Sequence, residues 1–131
     1  MAEKNTGERI PKELKILKYW TGLLGISDWY IILETNVKPE DMFIDEADGC
    51  VKYEETIKSA QIQIVDEKLR SPTVRPFDFE ETLVHELLHI KFCMLERGKN
   101  WDKKLQLRLL HQAIDDISRA LVSAKKYKEK R

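Results

Sequence analysis

Two histidines four residues apart are the feature that most constrains what this chain can fold into. They enclose a glutamate in His85-Glu86-Leu87-Leu88-His89, which has the pattern H-E-x-x-H. On a helix, residues four apart lie on one face, one turn above each other. Both imidazoles could then bind one Zn²⁺, with Glu86 beside them as a general base. The segment therefore predicts a helix that carries a metal site.

The residues around this motif favour a helix with defined ends. Asp78 is a suitable N-cap, and Glu81 three residues later completes a pattern similar to a capping box. We expect the helix to run from Phe79 to about Arg97 and to end at Gly98.

The predicted helix has an apolar side and a polar side. At the helical period, its apolar residues fall on one broad side: Leu83, Val84, Leu87, Leu88, Ile90, Met94 and Leu95. The two histidines fall on roughly the opposite side, with four further residues on or near it: Thr82, Glu86, Cys93 and Glu96. This division predicts a helix whose back packs in the core and whose histidines face a cleft.

The first half of the chain predicts one helix and a small sheet. The helix spans Pro11 to Leu24, and Gly25 ends it. Three segments favour strands: Trp29–Val37, Cys50–Glu54 and Ala60–Val65. The last of them alternates polar and apolar residues, which is typical of a strand with one wet face. Together with the helices, these segments predict an α+β fold with a small, mostly antiparallel three-stranded sheet.

A third protein ligand is needed if a water is to hold the fourth position of a catalytic zinc. Glu96 lies seven residues beyond His89, which is about 10 Å of rise along the helix and too far for one coordination sphere. A long C-terminal helix, predicted from about Lys103 to Lys126, supplies better candidates. Its apolar stripe comprises Leu110, Ala113, Ile114, Ile117, Leu121 and Ala124.

Two residues of this last helix are candidate third ligands. A turn near Gly98 would return the helix antiparallel to the motif and bring His111 or Asp115 alongside it. We favour His111, because imidazole is a common zinc ligand. Asp115 is the alternative ligand, or an acceptor for an imidazole N–H.

Composition limits the remaining possibilities. The 131 residues suit a single domain, with residues 1–10 and 126–131 as flexible tails. Lys plus Arg equals Asp plus Glu at 23 each, so no nucleic-acid partner is expected. Two cysteines, Cys50 and Cys93, are too few for a disulfide scaffold. Neither a signal peptide nor a membrane-spanning run is evident, which favours a cytoplasmic protein with no membrane partner.

The segment Thr82-Leu83-Val84-His85-Glu86-Leu87-Leu88-His89 resembles the active-site helix of the small zincin metallopeptidases. These include minimal gluzincin-like and SprT-like proteins and single-domain phage or prophage proteins. The resemblance covers about residues 28–122. The longer pattern H-E-x-x-H-x-x-G-x-x-H is excluded, because Phe92 and Leu95 stand where it needs glycine and histidine. Gluzincins use a later glutamate, which the segment from His111 to Leu121 lacks, whereas SprT-like proteins usually take a third histidine.

The resemblance implies a zinc-dependent peptidase that hydrolyses protein or peptide substrates. Glu86 would take a proton from the attacking water and pass it to the leaving amine. Three residues could help to stabilise the oxyanion, with no spacing to choose among them: Tyr53, Arg119 and Tyr127. The strand Ala60–Val65 could pair with an extended substrate or simply complete the sheet.

Two other functions fit the same residues. The first is a zinc-binding module of zincin fold that is catalytically weak or inactive and acts as a regulatory partner. The second is a purely structural site of three histidines. Glu86 favours the enzyme over both, because a structural zinc does not need a base.

Overall fold

Three helices and one three-stranded sheet make up the described part of the chain. The structure is a computed structural model, and it describes residues 11–44, 47–71, 75–93 and 103–130. The elements in chain order are α1 (Lys12–Leu24), β1 (Tyr30–Val37), β2 (Gly49–Glu54), β3 (Ser59–Val65), α2 (Phe79–Lys91) and α3 (Lys103–Glu129). Short 3-10 turns at Pro39–Asp41 and Glu55–Ile57 precede β2 and β3. The predicted α+β class and the order of its elements are confirmed.

The sheet is mixed, so the prediction of a mostly antiparallel sheet was wrong. Its strand order is β1-β3-β2, with β1 parallel and β2 antiparallel to β3. The turn between β2 and β3 ends at Lys58, whose φ of 50° lies in the left-handed region. That tight reversal makes β2 and β3 antiparallel neighbours. β1 then joins the other edge of β3, in the same direction.

β3 is the central strand, and the prediction of one wet face was also wrong. Gln63, a polar residue in the alternation, is only 5% exposed. Its Oε1 accepts from the Phe43 N–H at 2.8 Å and from the Cys50 thiol at 3.4 Å. Its Nε2 donates to Glu34 Oε1 at 3.1 Å and to the Asp41 carbonyl at 3.2 Å. The polar position is therefore buried with its hydrogen bonds satisfied, as a buried amide requires.

The core lies around α2, which packs against α1, β2, β3 and α3. The described apolar residues of its predicted core side are all buried: Leu83, Val84, Leu87, Leu88 and Ile90. They meet Trp20 of α1, Ile62 of β3 and Ile114 of α3 in one cluster. Among the helices that the structure describes, none has the length and hydropathy needed to cross a bilayer.

The start of α2 follows the prediction, and its end does not. Asp78 caps the helix by accepting from the Glu81 N–H at 3.0 Å. The helix then stops at Lys91, earlier than expected, and Phe92 follows with φ −104° and ψ 21°. The predicted end at Arg97 and Gly98 lies outside the described residues, as do Met94, Leu95 and Glu96.

α3 buries only part of the predicted stripe: Ile114 is fully buried, and Leu110 and Leu121 pack against the core. Its most buried positions follow a spacing of four, from Gln106 through Ile114 and Ser118 to Val122. Ile117, predicted to be in the stripe, is 37% exposed. The buried face therefore includes polar residues, which a search for apolar periodicity passes over.

The end of α3 is held against the rest of the fold. Lys125 Nζ lies 2.6 Å from Glu80 Oε2, and Lys126 Nζ lies 2.7 Å from Asp78 Oδ2. The helix continues to Glu129, although a flexible tail was expected for residues 126–131. The expected N-terminal tail, residues 1–10, lies outside the described residues.

Candidate metal centre

Three histidines meet where α2 and α3 pack together. The rings of His85 and His89 on α2 have centroids 5.1 Å apart. His111 on α3 brings its ring centroid to 4.5 Å from that of His89 and 6.4 Å from that of His85. One nitrogen from each residue lies within 4.8 Å of the other two. The three histidines, which are those named from the sequence, therefore form a group that could hold a metal ion.

The polar side of α2 is more covered than expected. His89 is 7% exposed and Glu86 is 6% exposed, because β2 and α3 pack over this side of the helix. His85 is half-buried, and His111 is exposed. The group is therefore buried on its α2 side and accessible from the α3 side.

His85 is neutral over the physiological range. Its burial, and the nearby His89, lower the pKa of His85 from 6.5 to about 4, against the opposing effect of Asp115. A neutral imidazole keeps the lone pair that a metal ion needs, whereas an imidazolium does not.

Asp115 lies beside the group as a partner of His85. Its Oδ1 is 3.5 Å from His85 Nδ1. Arg75 Nη1 donates to both oxygens of Asp115, at 3.1 and 3.2 Å, and Arg119 Nη2 donates to Oδ2 at 2.7 Å. Burial raises the pKa of Asp115, but these guanidinium groups outweigh it and hold the pKa below its usual value. A carboxylate engaged in this way suits the role of an imidazole partner better than that of a ligand.

Glu86 lies next to the first residue of β2. A Cβ added to Gly49 would be 3.3 Å from Glu86 Oε2 and 2.6 Å from Thr82 Cγ2. The absence of a side chain at Gly49 thus lets β2 pass directly over the α2 surface that carries Glu86.

A cavity of about 340 Å³ holds Glu86 and all three histidines. β2 contributes four of its six residues to the wall, and the segment before β2 contributes two more: Gly49, Cys50, Val51 and Tyr53, with Ile44 and Ala47. Of the three candidate oxyanion donors, Tyr53 lines this cavity. Arg119 instead pairs with Asp115 and Asp116, and Tyr127 is 64% exposed near the end of α3.

A second cavity, of about 170 Å³, adjoins the first. The two share Gly49, His85 and Glu86. The second is lined mainly by polar and charged residues, among them Arg75, Glu81 and Asp115. His85 and Glu86 therefore lie between a largely apolar chamber and a charged one.

Sequence reasoning missed Gly49 and Arg75 as parts of the site. The dipeptide Asp48-Gly49 is typical of a turn, and Arg75 lies in a proline-containing segment with no periodicity. Both cysteines are buried and neither forms a disulfide, and burial raises the pKa of the Cys50 thiol. Neither was expected to be a ligand, because the chain has no C-x-x-C pair.

The chain was compared with known protein families, curated proteins and solved structures. No protein-family model, curated protein or solved structure matches the chain. The resemblance to zincin metallopeptidases thus rests on the motif and on the order of elements, and it stays a prediction.

Proposed function

We propose that this protein is a zinc-dependent peptidase of zincin-like fold. The observation that carries the proposal is the presence of Glu86 in the same cavity as three histidine nitrogens that lie within 4.8 Å of one another. Three imidazoles with a carboxylate beside them are the donor set and the base of a hydrolytic zinc site.

The three histidines fit a zinc ion in chemistry and in spacing. A tetrahedral zinc with Zn–N distances of about 2.0–2.1 Å holds its ligand nitrogens about 3.4 Å apart. The nitrogens of the three histidines would need to approach by about 1.4 Å at most, which side-chain rotation can supply. Because His85 Nδ1 faces Asp115, its Nε2 is the nitrogen left for the metal. The exposure of His111 leaves one side of the group open to a substrate.

Glu86 supplies the proton transfers of the proposed reaction. When bound, zinc would polarise the scissile carbonyl and lower the pKa of the attacking water to about 7. Glu86 takes the proton of that water and later gives it to the leaving amine. Its burial limits the number of conformations that the carboxylate can adopt, which keeps it in place for both steps.

Tyr53 and β2 provide the substrate side of the site. Tyr53 lines the cavity, and its hydroxyl would donate to the oxyanion that forms during hydrolysis. β3 is paired on both edges, whereas β2 ends the sheet among the described strands. An extended peptide would therefore pair with the outer edge of β2, not with β3 as the sequence suggested.

Metal analysis and a peptidase assay test this function. We expect wild-type protein to bind one zinc ion, His85→Ala to lose it, and His111→Ala to lose most of it. Glu86→Gln should retain zinc and cleave casein or a peptide library about 10²–10⁴-fold more slowly, because it lacks the base. Zinc retained in full by His111→Ala would remove that residue from the ligands.

The same assay separates the enzyme from a binding module. Equal cleavage by Glu86→Gln and wild type would exclude Glu86 from the mechanism. Zinc binding with no cleavage of any peptide in the library would favour a structural or regulatory metal site.

A further inference from the structure

Arg75 forms ion pairs with both of the helices that carry the histidines. Arg75 Nη2 donates to Glu81 Oε1 on α2, and Arg75 Nη1 donates to both oxygens of Asp115 on α3. Glu81 lies one turn before His85 on α2, and Asp115 lies one turn after His111 on α3. The guanidinium is thus attached to each helix one turn from a histidine.

This link bears on the histidine group because its members come from different helices. His85 and His89 are held at a fixed spacing by α2 alone. His111 reaches them only if α3 keeps its position along and beside α2. Asp115 Oδ1 also lies 3.5 Å from His85 Nδ1, so the carboxylate that pairs with Arg75 also faces an imidazole of the group.

Arg119 provides a natural contrast to Arg75. It donates to Asp115 at 2.7 Å and to Asp116 at 3.0 Å, and all three residues lie on α3. Both arginines neutralise the charge of Asp115, but of these two pairings only that of Arg75 reaches α2. A comparison of the two therefore separates the helix link from simple charge compensation.

We propose that Arg75 is a positioning residue, which holds α3 against α2 so that His111 completes the metal site. The proposal rests on the metal site of the proposed function and not on peptide hydrolysis. The planar guanidinium suits this role because it can bind two carboxylates in a fixed geometry, which an ammonium group cannot do. Arg75, Glu81 and Asp115 are 47%, 22% and 30% exposed, so their pairing adds little to global stability.

The test measures the affinity for zinc alone, by competition with a chromophoric chelator, on the full-length chain. We expect Arg75→Ala to weaken zinc binding by about 10- to 100-fold, as the loss of an outer-sphere partner does. Arg75→Lys should recover only part of the loss. The Co²⁺ absorption spectrum should change in Arg75→Ala, because the third imidazole is no longer held in place. The urea midpoint of the metal-free protein should change little.

Arg119→Ala is the matched control, and it should bind zinc nearly as tightly as wild type. Glu81→Gln removes the α2 end of the link and should lower zinc affinity, which gives a second test if Arg75→Ala does not fold. Wild-type affinity and a wild-type Co²⁺ spectrum in either link variant would overturn the proposal. Equal losses in Arg75→Ala and Arg119→Ala would also overturn it, since charge compensation would then be the cause.

The outcomes also distinguish this proposal from the proposed function. The expected affinity pattern in a protein that cleaves no peptide would support the helix link and reject only the peptidase. A wild-type protein that binds no zinc would overturn both.

Discussion

Replacing Gly49 with alanine tests whether the close approach of β2 sets the position of Glu86. The new Cβ would lie 2.6 Å from Thr82 Cγ2, whereas carbon atoms in contact prefer about 3.5–4.0 Å. Thr82 cannot rotate freely, because its Oγ1 donates to the Asp78 carbonyl at 2.8 Å. Overpacking of this kind costs about 1–3 kcal/mol, and the stiffer unfolded chain offsets about 0.4–1 kcal/mol of it. We expect a net loss of about 1–2 kcal/mol.

The assay is urea unfolding of the metal-free protein, followed by zinc titration and peptide cleavage. Cleavage should fall, because the new Cβ also lies 3.3 Å from Glu86 Oε2. Zinc binding should persist, because the three atoms nearest to the new Cβ belong to Thr82, Glu86 and the Gln63 backbone and not to a histidine. Gly22→Ala is the control: its Cβ would meet nothing within 4 Å, so the helix should gain about 0.5–1 kcal/mol.

Repeating the substitution in a Thr82→Ser variant tests whether the contact with Thr82 Cγ2 causes the loss of stability. Thr82→Ser removes Cγ2 but keeps the hydroxyl that bonds to Asp78. Gly49→Ala should therefore cost clearly less in the Thr82→Ser protein than in wild type. The reasoning is refuted if Gly49→Ala stabilises the protein as Gly22→Ala does, or if the serine background brings no relief.

Three further predictions concern stability. Folding lowers the pKa of His85 from 6.5 to about 4, so the unfolded protein takes up this proton at a higher pH than the folded protein does. The free energy of unfolding of the metal-free protein should therefore fall by up to about 3 kcal/mol as the pH is lowered from 6.5 to 4. A His85→Gln variant should lack this pH dependence in urea unfolding. Lys125→Ala should cost about 2–3 kcal/mol in the same assay, because it leaves the largely buried Glu80 carboxylate without its cation, and Glu80→Gln in that background should recover part of the loss. Asp78→Ala should lower the free energy of unfolding by about 1–2 kcal/mol, because it removes the helix cap and the ion pair with Lys126; an unchanged thermal midpoint would contradict this.

Local features of the sequence were enough to place the elements that carry the site. Gly25 ends α1 in the left-handed conformation, with φ 76°, and Asp78 caps α2, as predicted. Such features act over one helical turn, so a single sequence displays them. The spacing of His85 and His89 likewise follows from helix geometry alone.

Contacts between segments that are distant in the chain determined the features that the sequence did not predict. Strand pairing determines both the direction of β1 relative to β3 and the burial of Gln63. The alternation of polar and apolar residues within β3 does not indicate which strands lie on either side of it. The early end of α2 at Lys91 was not marked by a stop signal such as glycine or proline.

The sequence by itself determined that His85 and His89 lie one turn apart on the same face of a helix, with Glu86 between them in the chain, because that spacing is local. It also named His111 as the best third candidate from its chemistry. Only the tertiary structure decided that His111 lies 4.5 Å, ring to ring, from His89, and that Asp115 faces His85. The packing of α3 on α2 sets these distances, and it depends on side chains more than 20 residues apart in the chain.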